Sequence, residues 1–150
     1  MHIGVDATCW QNTRGYGRHA RTLLRTLVPL DAGNRYTFVL DDASAVEALP
    51  EGVDVRLVRS DNPTAVAASA DGSRGLSQMW GMSRALSSRD FDLVFFPTIY
   101  SYVPVWSRAR KVVAIHDTIP EAFPELTTPD LKSRLFWKAK TGLGRAQADA

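Results

Sequence analysis

The sequence predicts an α/β fold, a Rossmann-like parallel sheet flanked by helices. Two observations carry this. Short apolar runs of strand length (2–7, 36–40, 93–96 and 111–115) alternate with segments of helical period (16–28 and 76–86). Strands that alternate with helices imply crossover connections and hence parallel pairing, with an expected strand order of 3-2-1-4-5. A third observation points to where such a sheet would act: the run Val112-Val113-Ala114-Ile115 closes on His116-Asp117. That places an ionisable pair at the carboxyl end of a buried strand, the edge where open α/β sheets hold ligands.

The elements follow in order. Residues 2–7 read as a short buried strand. Over 16–28, Ala20, Leu23, Leu24, Leu27 and Val28 recur at helical spacing while Arg18, Arg21 and Arg25 take the other face; Pro29 and Gly33-Asn34 end this helix. Tyr36 to Leu40 is rich in β-formers. Residues 44–49 fit a short helix closed by Pro50-Glu51-Gly52. The alternation over 53–58 suits a strand near the sheet edge. The small, polar stretch 60–74 reads as a mobile loop. Residues 76–86 form a helix with Leu76, Met79, Trp80 and Leu86 inward. Residues 93–96 are a fully apolar strand stopped by Pro97. The segment 99–106 is aromatic yet irregular, because Pro104 interrupts it. After the strand at 111–115 and a turn over 120–124, Pro129 suits the first position of a last helix running toward Ala150.

Length and composition fit one domain, residues 1–150, with a full core. A net charge of +2 gives no ground for a nucleic-acid partner. The single cysteine, Cys9, excludes an internal disulfide framework and a CxxC metal site. Ile3-Gly4-Val5 is too short for a leader h-region and Asp6 interrupts it, so the expectation is a cytoplasmic chain. The run ending in Gln147-Ala-Asp-Ala150 has no closing strand, which suggests the first half of something larger.

Several segments carry chemistry. In Arg14-Gly15-Tyr16-Gly17-Arg18, glycines at a helix start let backbone N–H groups approach an anion, and the arginines add charge. The same glycines also read as a plain turn. Gly15-x-Gly17-x-x-Ala20 with Asp41 about 20 residues on formally matches a dinucleotide fingerprint, but Thr8 to Arg14 intervene where the fingerprint's first glycine should follow its strand. His116 suits a hydrogen bond to a sugar hydroxyl or to a departing phosphate; it also reads as a strand-end histidine held by a backbone carbonyl. Asp117 points to the opposite face of an extended chain and suits a cap on the next turn, with a supporting role as the alternative. Asp90-Phe91-Asp92 has DxD spacing but precedes its strand, away from the ligand edge, so no metal site is expected. Tyr100, Tyr102 and Trp106 offer rings on which an acceptor sugar or lipid could stack, or pack over the core. Lys132, Arg134, Lys138, Lys140 and Arg145 lie mostly away from Leu131, Leu135, Ala139 and Leu143. This basic helix, 129–147, reads as a solvated face or as a peripheral membrane contact. Trp10, Tyr16 and Trp80 are read as core or cleft wall.

Taken in order, Ile3-Gly-Val-Asp-Ala7, Arg14-Gly-Tyr-Gly-Arg18, Asp92-Leu-Val-Phe-Phe-Pro97 and Val113-Ala-Ile-His-Asp-Thr-Ile-Pro120 resemble the N-terminal half of glycosyltransferase family 4, across nearly the whole chain. The resemblance implies a GT-B fold, in which an N-terminal acceptor-side domain faces a C-terminal domain that binds a nucleotide-sugar. It implies retaining transfer with no required metal or cofactor. It implies that Gly15 and Gly17 lie near the donor diphosphate, with Arg14 and Arg18 beside them, and that His116 faces the donor sugar as the catalytic residue. The donor-binding domain is not in this sequence, so the chain alone is expected to be inactive. The rivals are a dinucleotide-binding domain of an oxidoreductase and a non-catalytic interaction domain of the same fold.

Overall fold

The computed structural model describes residues 1–58, 76–127 and 130–150, and of Leu76 the backbone only. The loop expected over 60–74 and Pro129 lie outside the described residues. Five strands, β1 (His2–Asp6), β2 (Arg35–Leu40), β3 (Asp54–Leu57), β4 (Leu93–Phe96) and β5 (Arg110–Val113), form one sheet. All four pairings are parallel and the order is 3-2-1-4-5, as the alternation of periods predicts. The helices are α1 (Gly15–Leu30), α2 (Leu76–Leu86), α3 (Ile119–Ala122), α4 (Pro124–Thr127) and α5 (Leu131–Gln147). Short 3₁₀ turns span Ala43–Ala48 and Ile99–Ser101.

Both faces of the sheet are covered, and the two-residue period of the strands divides the core between them. Ile3 and Val5 of β1 with Tyr36, Phe38 and Leu40 of β2 pack under Leu24 of α1. On the opposite face Val39, Val94 and Phe96 meet Met82 and Leu86 of α2, together with Ile99, Tyr102, Val103 and Val105. The edge strand β3 leaves Val55 and Leu57 exposed, as its weaker apolar pattern predicts.

Four expectations are corrected. Trp80 faces outward, 66% exposed; the inward face of α2 is Met79, Met82, Ser83 and Leu86. Helix α1 runs through Pro29 to Leu30 and ends one residue past the proline, which has no N–H to donate to the Arg25 carbonyl. Arg21 is not on a solvated face: its guanidinium donates to the carbonyls of Trp10 and of Asn12, the latter at 2.8 Å. Helix α5 starts at Leu131 with Asp130 as its N-cap, whose Oδ1 accepts from the Ser133 N–H at 2.8 Å. After α5, Asp149 and Ala150 bond along the free edge of β5, with Val113 N–H donating to the Ala150 carbonyl at 2.9 Å and Asp149 N–H to that of Lys111 at 2.8 Å.

The segment 99–106 divides. Tyr102, Val103 and Val105 are core residues, and Gln147 of α5 holds them: its Oε1 accepts from the Tyr102 hydroxyl at 2.6 Å and from the Val105 N–H at 3.0 Å. Trp106 is exposed.

Candidate functional site

The sheet order places the topological switch between β1 and β4, where connections leave in opposite directions and a crevice opens at the carboxyl edge. A cavity of about 380 Å³ lies there, lined by Arg14, Gly15, Tyr16, Tyr100, His116 and Asp117. Its walls come from the segments that follow β1, β4 and β5, so residues far apart in sequence meet because their strands are neighbours.

One end of the cavity suits an anion. Arg14 is the N-cap residue of α1, its side chain makes no capping hydrogen bond, and the first turn carries no acidic residue. The chain reaches this point through Asn12, whose Oδ1 accepts from the Arg14 N–H at 2.8 Å. The positive end of the helix dipole therefore stands beside a guanidinium. Gly15 has no atom within 4 Å of where a Cβ would be, so its backbone is open to a ligand.

The other end suits hydroxyl groups. The Asp117 Oδ1 accepts from the Ile119 N–H at 3.0 Å, the turn cap expected from its sequence position, while Oδ2 lies 3.4 Å from the Tyr100 hydroxyl. His116 is exposed, and its Nε2 is 2.8 Å from the Pro97 carbonyl. A carbonyl only accepts, so Nε2 carries the proton and Nδ1 of the neutral ring is an acceptor. His116 thus takes a hydrogen bond from a hydroxyl rather than giving one.

Tyr16, read from the sequence as core or cleft wall, and two side chains outside that reading, His19 and Trp137, complete the site. The His19 ring meets His116 edge-on, with centroids 4.8 Å apart. Tyr16 stacks on Tyr100 at 5.3 Å, and Trp137 of α5 lies on Tyr100 at 5.2 Å. Tyr16 and His19 are three residues apart on the first turns of α1, a spacing that puts both on one helix face and is the signal for them in the sequence.

The remaining expected residues lie elsewhere. Gly17 is buried against the carbonyls of Asn12 and Cys9 and does not line the cavity, and neither does Arg18, which is exposed. Tyr102 is in the core. Trp106 lines a different cavity of about 660 Å³ with Arg89, Phe91, Asp92 and Arg108, on segments that precede β4 and β5 and hence at the amino edge. Asp90 and Asp92 stand at that same edge. Asp41 is buried and accepts from the Gln78 side chain at 2.7 Å.

Burial, and after it the Asp117 charge, pushes the Tyr100 hydroxyl up to about 12. Burial alone does the same for Tyr102, and burial with the bond to Asp31 for Tyr36, each to about 12. An unfolded chain releases these protons from about pH 10, so the native state binds more protons between those values. The contribution of these tyrosines to stability is therefore fully present below about pH 10 and is lost as pH rises toward 12. Tyrosinate absorbance followed with circular dichroism should show these three ionising together with unfolding. Ionisation of all tyrosines near pH 10 with the helix signal intact would contradict this.

No family model matches the chain, and no curated protein or solved structure matches it. The topology itself defines a Rossmann-like α/β domain with a nucleotide-binding type of sheet edge.

Proposed function

We propose that this domain is the acceptor-side half of a retaining glycosyltransferase that works with a nucleotide-sugar held by a second domain. The observation that carries the reading is the meeting of Arg14-Gly15-Tyr16 with His116-Asp117 and Tyr100 around one cavity. Its two ends match the two parts of a sugar phosphate. The α1 N-terminus and Arg14 suit the diphosphate, while His116 Nδ1 and the Asp117 carboxylate suit sugar hydroxyls, which donate. Retaining transfer by front-side attack asks a protein chiefly for positioning and for stabilising separated charge. In this scheme His116 fixes the donor sugar, Arg14 and the Gly15 backbone steady the departing phosphate, and the Tyr16–Tyr100 stack forms a wall for the acceptor. No metal or cofactor is invoked. Gly17, Arg18, Tyr102 and Trp106, which the family resemblance or the loop composition brought forward, take no part.

The oxidoreductase reading is weaker. Residues 7–14 separate β1 from α1, and Gly15 is already helical, so no tight glycine turn follows the strand. Asp41, the residue that would take a ribose, is held by Gln78.

Titration of the chain with uridine diphosphate glucose, guanosine diphosphate mannose and NADH, followed by NMR, tests the proposal. The sugar nucleotides should shift the Gly15 and Tyr16 amides and the His116 ring, without saturation below ~1 mM because on this reading a second domain supplies most of the donor contacts. Saturable NADH binding near Asp41, or no shift with any of the three, would overturn it. So would sugar transfer by these 150 residues alone.

A further inference from the structure

The apolar residues of α5 face the wrong way for a helix that serves only to cover a sheet. At 100° per residue, Trp137, Thr141 and Gly144 share one side. That side is the buried one: Thr141 and Gly144 are buried, and a Cβ on Gly144 would come within 2.7 Å of Ile99 Cδ1. Leu131, Leu135, Ala139 and Leu143 fall opposite, and Leu131 is 72% and Leu135 59% exposed. Phe136 stands beside them, also exposed. The preceding short helices continue the pattern, with Ile119, Phe123 and Leu126 exposed. The first of these short helices is tied to α5 on its covered side, where the Trp137 indole N–H donates to Glu121 Oε1 at 3.2 Å. Exposed apolar surface on this scale marks a contact.

The charges decide its kind. Helix α5 carries Lys132, Arg134, Lys138, Lys140 and Arg145 and no acidic residue. Lys132, Lys138 and Arg145 are exposed within a turn of the exposed leucines. Lysine is depleted in the buried cores of protein interfaces, which argues against a protein partner. A lipid surface accommodates both kinds of residue, because leucines enter the acyl boundary while long basic side chains remain among the headgroups. No helix among the described residues is long and apolar enough to cross a membrane. We infer that the outward face of α5, with the apolar residues of α3 and α4, seats on an anionic lipid surface. Trp137, on the covered side of α5, lies on Tyr100, so the helix that carries this face also backs the cavity wall. The inference rests on exposure and charge and is independent of the glycosyl-transfer reading.

Co-sedimentation with vesicles tests it. The chain should pellet with vesicles of phosphatidylcholine and phosphatidylglycerol in equal parts, less so at high salt, and stay in solution with phosphatidylcholine alone. The triple variant Leu131→Ser, Leu135→Ser, Phe136→Ser should bind at least about tenfold more weakly at an unchanged unfolding temperature, because it removes only exposed side chains. Lys138→Gln with Arg145→Gln should weaken binding about fivefold for each charge removed. The inference is overturned if the parent chain ignores both vesicle types, or if both variants bind as well as the parent. It is overturned equally if sedimentation without lipid shows a dimer that the triple variant abolishes, which would assign the face to a second copy.

Discussion

Replacing His116 by alanine in an enzyme that contains this segment is expected to lower turnover by ~100-fold, the order of loss when a contact that holds the substrate in register is removed and the reacting groups shift by ~1 Å. The effect on stability should be far smaller. The ring is exposed and makes one hydrogen bond, to the Pro97 carbonyl, so its removal leaves no core volume empty. Such a bond contributes about 0.5–1.5 kcal/mol net. In a chain of this size that is an unfolding temperature lower by roughly 1–6 °C. The Pro97 contact is what makes the change costly to function, since it fixes the ring and keeps Nδ1 as an acceptor for a hydroxyl. His116→Gln, whose amide both donates and accepts, should recover part of the rate. Thermal melts and single-turnover rates on the same preparations decide the matter. A large fall in melting temperature with an unchanged rate per folded molecule would make His116 a packing residue and remove the central member of the proposed site.

The sheet was legible because its information is periodic. Runs such as Leu93 to Phe96 are too short for helices and too apolar for edges, and their alternation with helical segments leaves few topologies open. The carboxyl edge was legible for the same reason: once β1 and β5 are strands, whatever follows them shares an edge, and Arg14-Gly15 and His116-Asp117 do meet. Directions of side chains outside regular elements were not. Tyr100, Tyr102 and Trp106 look alike in the sequence, yet they end respectively in the cavity wall, the core and the opposite edge, because the 3₁₀ turn at Ile99–Ser101 and the Gln147 bonds reorient the chain between them. Periodicity also tells which residues of α5 share a face, but not which face is covered. In the fold the covered face is the one with Gly144, where α5 comes so close that a Cβ would stand 2.7 Å from Ile99 Cδ1. Tyr16 was read as core or cleft wall and does line the cavity, whereas His19 was not singled out, since only the position of α1 over the β1–β4 switch turns that helix face toward the site.

The two glycines of the α1 start should separate in opposite directions. Both looked alike in the sequence, as residues that admit an anion to the backbone. In the fold, a Cβ on Gly17 would overlap the Asn12 carbonyl oxygen and lie 2.9 Å from the Cys9 carbonyl oxygen. Neither neighbour is the loose end of a side chain. Both belong to backbone that is already tied down, because the Asn12 N–H donates to the Cys9 carbonyl at 3.0 Å and the Arg21 guanidinium to the Asn12 carbonyl at 2.8 Å. Relief would require lifting the first turn of α1 off residues 9–12, so Gly17→Ala should destabilise by ~3 kcal/mol, the upper end of the usual cost of overpacking. That corresponds to an unfolding temperature roughly 6–12 °C lower. Gly15→Ala meets nothing within 4 Å, and Gly15 does not have the positive φ that a side chain would resist. It should leave stability unchanged or raise it by up to ~1 kcal/mol, as alanine does in a helix. Its cost should instead fall on ligand, because a methyl group then stands at the mouth of the cavity beside Arg14: the sugar-nucleotide shifts at the Tyr16 amide and the His116 ring should weaken although the fold is intact. Melts and titrations on the two variants give four readings. A stable Gly17→Ala would show that α1 can move off the turn at residues 9–12. A Gly15→Ala chain that is stable and still responds to sugar nucleotides as the parent does would remove the anion end of the cavity from the proposed mechanism.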